Sequence, residues 1–220
     1  MEPGHFYFIS DDFFKKFPQE EFLMKNKQER HARPCFFCFS DSENANLFWC
    51  VPLSSHVQKY NMIINNKLKH LQERGIHYPK CSTIRFAKVL GHSSAFLIQN
   101  MFPVTAKYIT EQYLDSKTHE PVTISQASTN DICINAKKIL QLVTNGHHQL
   151  VYVDIMQMRQ TLLTELEQEQ SLGQPITDHS QQVSALPLQD RVYSAQLEAT
   201  ARNASQLMPE IPMIQEAKEH

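Results

Sequence analysis

Glycine is scarce, five residues in 220, and nowhere do glycines cluster as a phosphate-cradling loop requires, so neither a P-loop nor a dinucleotide fingerprint is present. His-Glu-x-x-His and Gly-x-Ser-x-Gly are also absent, which removes the common zinc-protease and serine-hydrolase arrangements. No stretch approaches the roughly 20 apolar residues of a membrane span. The N-terminus lacks an apolar core of the length a signal peptide needs. These absences predict a soluble, intracellular chain. Cysteine is limited to Cys35, Cys38, Cys50, Cys81 and Cys133, an odd number inside apolar segments, which fits reduced buried thiols. Cys35 and Cys38 have zinc-like spacing, but they lie in a strand-like run where residues three apart face opposite ways. No metal site is expected there.

Charge is present unevenly. The net charge of −2 conceals 14 Lys and Arg against 9 Asp and Glu over residues 1–110, and 3 against 6 over residues 171–220. Between His56 and Lys88, Lys59, Lys67, Lys69, Arg74, Lys80, Arg85 and Lys88 are opposed by Glu73 alone. A basic half of this kind suits a polyanionic partner. Interleaved Tyr60, Asn61, Asn65, Asn66, His70, His77 and Tyr78 make single-stranded RNA a natural one, because bases stack on rings and pair with amides. The plainer reading of the same residues is a solvated helix face.

Hydrophobic patterning gives a mixed α and β chain. His5–Ile9 reads as a strand, followed by a helix capped by Ser10. Residues 35–40 and 47–52 read as a hairpin. Val57, Tyr60, Ile63 or Ile64, Leu68 and Leu71 have helical spacing, with Gly75 as the stop. Residues 82–90 and 94–99 pair about Gly91. Pro103 opens a helix-like stretch through Val104, Tyr108, Ile109 and Tyr113. Thr129 or Asn130 caps a helix to Thr144, and another runs over 150–170. Residues 1–170 are expected to form one domain. Residues 171–220, rich in Gln, Ser, Ala and Pro, form a polar extension, either disordered or with a weakly amphipathic helix over 189–207, to which no role is assigned.

The chemistry concentrates in Trp49–Tyr60, where a strand ends at Pro52 and a helix begins at Ser54 or Ser55. A helix start offers unbonded N–H groups and the positive dipole end, which suits a phosphate. Ser54 and Ser55 add hydroxyls, and Lys59 lies one turn beyond Ser55. His56 is the acid–base candidate, since an imidazole has an ordinary pKa of about 6.5. Ser55-x-x-Gln58 equally fits a capping box.

Phe6-Tyr-Phe-Ile-Ser10, Arg33-Pro34, Val51-Pro-Leu-Ser-Ser55, Ser82-Thr-Ile-Arg-Phe86, Val89-Leu-Gly91 and Ala95-Phe-Leu-Ile-Gln-Asn-Met-Phe-Pro103, in this order, resemble the type III toxin–antitoxin endoribonuclease toxins. These are the ToxN/AbiQ group, and the TenpN/CptN branch is the nearest in pattern. The resemblance spans residues 5–168. It implies an α+β fold, with a strongly curved antiparallel sheet or partial barrel, similar to Kid/MazF toxins, surrounded by helices. It also implies a metal-independent, phage-defence RNase in the bacterial cytoplasm, needing no cofactor. Its partners would be substrate RNA and a small repeated pseudoknot-type antitoxin RNA, held in a closed protein–RNA assembly. Ser54 and Ser55 match the family's hydroxyl pair, Arg33 its basic residue before the strand, and Tyr7 its N-terminal tyrosine. Many relatives carry Lys directly after the hydroxyls or one residue later, where this chain has His56 and then Lys59. Expected RNA contacts are Lys25, Lys27, Arg30, Tyr60, Lys67, Lys69, Arg85, Lys88 and Asn100. A non-catalytic RNA- or DNA-binding module using the same helix start is the competing expectation.

Overall fold

The apolar runs of the N-terminal half become strands of one antiparallel sheet: β1 (Phe6–Ile9), β2 (Pro34–Ser40), β3 (Leu47–Ser54), β4 (Ile84–Val89), β5 (His92–Leu97), β6 (Phe102–Thr105) and β7 (Ile109–Gln112). Four helices accompany them, α1 (Asp11–Lys16), α2 (Val57–Glu73), α3 (Gln126–Thr144) and α4 (Ile155–Leu172). The structure is a computed structural model that describes residues 1–26 and 33–172. Residues 1–168 pack as one unit. The expected helix over 189–207 lies outside the described residues.

The strand order is β4-β5-β3-β2-β1-β7, with β6 also against β3, and the sheet stays open. β3 is the branch point. One edge follows β2, while the other meets β6 first (Leu47↔Thr105 to Cys50↔Phe102) and then β5 (Leu53↔Phe96, Ser54↔Ala95). β5 and β6 are separated by a single 3-10 turn, Ile98–Asn100, so the sheet bends where its strands change partner. The expected α+β class, with a curved and unclosed antiparallel sheet, is the observed one.

The two faces of the β4–β5 arm bury different things. Ile84, Ala95 and Leu97 form a small cluster under Tyr60, Ile63 and Ile64 of α2. The intervening Phe96 joins the main core, with its ring 5.3 Å from that of Phe36, which is 5.2 Å from Phe6. A second aromatic group centres on Phe13, which meets Phe17, Phe102 and Tyr108. Glu165 holds α4 to this region by accepting from Lys16 Nζ (2.9 Å), Lys107 Nζ (2.7 Å) and the Tyr108 hydroxyl. Near the other end of the sheet, Asp41 accepts two bonds from Arg159 of α4 (2.7 and 2.9 Å) and one from the Trp49 indole (3.0 Å).

Several expectations change. Residues 103–113 form β6, a 3-10 turn and β7 rather than a helix; β6 pairs only with β3, and such an edge strand tolerates Pro103. α3 begins at Gln126, with Ser125 Oγ accepting the Ser128 N–H, so the cap is four residues earlier than Thr129. α4 begins at Ile155 after a 3-10 turn at 148–150, and Asp154 Oδ1 accepts the Gln157 N–H. The β4–β5 turn uses Leu90 (φ 48°) and Gly91 (φ 81°), both in the left-handed region that a tight hairpin turn demands. Cys35, Cys38 and Cys50 are buried, and burial pushes the Cys35 thiol up to about 12.

Candidate active site and nucleic-acid interface

Ser54 is the last residue of β3, and α2 starts three residues later at Val57. Ser54 Oγ accepts the His56 backbone N–H at 3.2 Å, and Ser55 O accepts the Val57 N–H at 2.8 Å. A serine oxygen that accepts keeps its own O–H proton to donate elsewhere. The residue preceding the helix is His56, and its side chain makes no capping bond. The capping box expected for Ser55 and Gln58 is therefore not formed: Ser54 stays in the ladder and the helix starts later. The first turn of α2 carries no acidic residue, so no carboxylate competes for the positive end of the dipole. Ser55, His56 and Lys59 are exposed and Ser54 is half-buried.

Strand pairing sets where Arg33 lies. β2 and β3 pair Phe36↔Val51 and Cys35↔Pro52, so Arg33, just before β2, and Ser54, the last residue of β3, lie at the same end of this strand pair. Asn26 fixes the approach of that segment. Its Oδ1 accepts the Arg33 N–H (3.0 Å), while its Nδ2 donates to Ile9 O and Asp11 Oδ1 (2.9 Å each). Asn26 escaped the sequence reading because it sits in a polar, basic stretch that looks like an ordinary loop.

Tyr7, on β1, shares a row with Cys35 and Pro52. Its ring is buried against Phe37, and its hydroxyl accepts the Glu2 N–H at 3.0 Å. Ser54, Ser55 and His56 are consecutive at the junction, with Lys59 in the first turn of α2, and the Tyr7 hydroxyl, like that of Ser54, accepts one bond and keeps its proton to donate.

The expected RNA contacts divide similarly. Lys27 and Arg30 lie outside the described residues. Lys25 is exposed, and Tyr60 packs from α2 onto the Ile84, Ala95 and Leu97 cluster. Lys69 is 3.9 Å from Glu73, and Arg85 Nε is 3.0 Å from Asp131 of α3 while its Nη1 donates to Cys81 O. Lys88 lines an open cleft of about 420 Å³ with Leu90, Asp115 and Glu120, which includes none of the junction residues. Lys67 is half-buried, donates to Gln99 Oε1 at 2.9 Å, and has its pKa lowered by burial. Asn100 is buried and donates to Phe22 O at 3.1 Å. Among the described residues, no three His, Cys, Asp or Glu side chains gather as metal ligands would.

An open antiparallel sheet flanked by helices is a fold with a solved counterpart. This counterpart is AbiQ, a lactococcal anti-phage endoribonuclease belonging to the type III toxin–antitoxin system, which superimposes with a TM-score of 0.55 over 74% of this chain and 98% of AbiQ, at 12% identity. At that identity the likeness establishes the fold. A bacterial type III toxin–antitoxin structure, whose toxin is inhibited by a non-coding RNA pseudoknot, aligns over 93% of this chain and 99% of its own at 15% identity, with a TM-score of only 0.34. No protein-family model and no curated protein matches the sequence.

Proposed function

We propose that this chain is a metal-independent endoribonuclease toxin of a type III toxin–antitoxin system. Its catalytic unit is residues 1–170, and it works in the bacterial cytoplasm on single-stranded cellular or phage RNA. A small repeated pseudoknot-type RNA inhibits it within a closed protein–RNA assembly. The observation that carries this reading is the junction itself: two serines and an imidazole at an uncapped helix start, with Arg33 at the same end of the β2–β3 pair, on the fold of AbiQ.

In this mechanism the substrate 2′-OH attacks the adjacent phosphorus and forms the O2′–P bond. The P–O5′ bond breaks, leaving a 2′,3′-cyclic phosphate and a 5′-OH. Arg33 and Lys59 neutralise the charge gathering on the non-bridging oxygens, a task requiring no proton transfer from either. The Ser54 and Ser55 hydroxyls hold the phosphate oxygens in line with the attack. His56 moves the proton, by removing it from the 2′-OH or delivering it to O5′.

The decisive experiment incubates purified chain with cellular RNA in excess EDTA, beside Ser55→Ala, and maps the new ends. Discrete cuts bearing 2′,3′-cyclic phosphate, slowed about 10²–10³-fold by Ser55→Ala, support the reading. A change under threefold in folded Ser55→Ala removes that serine from the mechanism. RNA bound but left intact would make the chain a non-catalytic binding module using the same helix start.

A further inference from the structure

Some 15 Å along α2 from its start, at 1.5 Å per residue, three residues from distant parts of the chain are tied to one buried dipeptide, Lys67 by its side chain and the other two by their backbone. Gln99 and Asn100, 3% and 7% exposed, occupy the 3-10 turn between β5 and β6. Gln99 Oε1 accepts Lys67 Nζ (2.9 Å), and Gln99 O accepts the Tyr152 N–H (2.8 Å). Asn100 Nδ2 donates to Phe22 O (3.1 Å). The rings of Phe22 and Tyr152 lie against each other, centroids 5.5 Å apart and planes at 41°, yet they remain 46% and 37% exposed. An aromatic pair fixed by backbone bonds while presenting its surface to water is not there to fill the core.

We propose that Phe22, Tyr152 and Lys67 form a nucleotide subsite for single-stranded RNA, in which one base stacks on the aromatic pair and Lys67 takes a neighbouring phosphate. This rests on the RNase reading and extends it to how the substrate is held away from the cut.

Lys67 distinguishes an RNA from an apolar protein partner as the occupant. Among the described residues no carboxylate pairs with it; its partner is the neutral amide of Gln99. A half-buried ammonium without a counter-ion is poorly compensated, as its lowered pKa reflects, and a phosphate supplies the missing charge. Exposed rings beside a cation are the combination by which single strands are gripped, since every base has a face to stack. The chain itself links the two sites. From Phe22 it runs through Met24, which packs against the small cluster shared with Tyr60 of α2, to Asn26, which holds Arg33.

The test uses full-length protein and single-stranded RNA oligonucleotides carrying 2-aminopurine at successive positions, with binding measured in a Ser55→Ala background. Phe22→Leu and Tyr152→Leu keep the apolar bulk but remove the rings. Each should weaken binding about tenfold and abolish the fluorescence quenching at one position a few nucleotides from the cut. Lys67→Gln should reduce the slope of log affinity against log salt by about one phosphate's worth, and Lys67→Arg should restore it. With Ser55 intact, these variants should raise KM for oligonucleotides long enough to reach the subsite. If wild type cleaves RNA while the folded variants bind, quench and cut like it, the subsite is wrong and the RNase reading stands; a protein partner would then be the occupant to seek. If wild type neither binds nor cuts RNA, both fall.

Discussion

A single hydrogen bond, from the His56 N–H to Ser54 Oγ, decides what the junction can offer a ligand. It uses one serine lone pair, leaves that hydroxyl's proton to give, and holds the residue before the helix in place with its imidazole in solvent. If His56 carries the proton, His56→Gln should change the shape of the pH–rate profile. A profile of unaltered shape would exclude it as the titrating group. The residue types at this junction were legible in the sequence, but the helix was expected from Ser54 or Ser55 because serine is a common cap, whereas Ser54 stays in β3 and α2 begins at Val57. Arg33 was legible as a basic residue before a strand, and only the β2–β3 pairing shows that it lies at the same end as Ser54. Phe22 and Tyr152 gave no signal, since 130 residues separate them and a single exposed aromatic is unremarkable in a list of letters.

Among the elements, α4 depends on one guanidinium. Arg159 bonds both oxygens of Asp41 and also Glu43 Oε2 at 2.7 Å, clipping the helix to the β2–β3 hairpin. Burial alone would raise the Asp41 pKa; Arg159, the Glu43 N–H and the Trp49 indole outweigh it and hold the carboxyl below its usual range. Arg159→Met should strand a buried carboxylate and cost about 3–5 kcal/mol, read from urea melts at pH 7. Because the folded-state pKa lies below the unfolded value, the ion pair's contribution is complete above about pH 4 and disappears as the pH falls through the folded value. The difference between wild type and variant should therefore shrink in acid. A constant difference from pH 7 to pH 3 would show that Arg159 acts through packing alone. The hairpin this clip secures was readable from β-rich runs flanking Asp41–Asn46. The strands after Pro103 were not, because Val104, Tyr108 and Ile109 satisfy helical spacing as well, and only the partner β3 breaks the tie. The start of α3 was misplaced because Ser125, Ser128 and Thr129 are all competent caps.

For the molecule as a whole, the useful charge is smaller than the sequence suggests. Lys69 and Arg85 are engaged with Glu73 and Asp131, and the cations that the proposed reading assigns to phosphate are Lys25, Arg33, Lys59 and Lys67. Four contacts to single-stranded RNA predict a slope of log affinity against log salt of about −3, measured by titration from 50 to 200 mM salt. A slope near zero would mean that phosphates are not what this surface recognises. The open sheet has a temporal consequence as well. β1 pairs with β2 on one side and with β7 on the other, joining Tyr7 to Gln112. At synthesis rates of about 5–20 residues per second, the roughly 70 residues from the end of β2 to the end of β7 keep β1 waiting about 4–14 seconds beside its first neighbour before the second has been made. For that interval the growing chain carries an exposed strand edge, the feature most prone to pairing with the wrong partner.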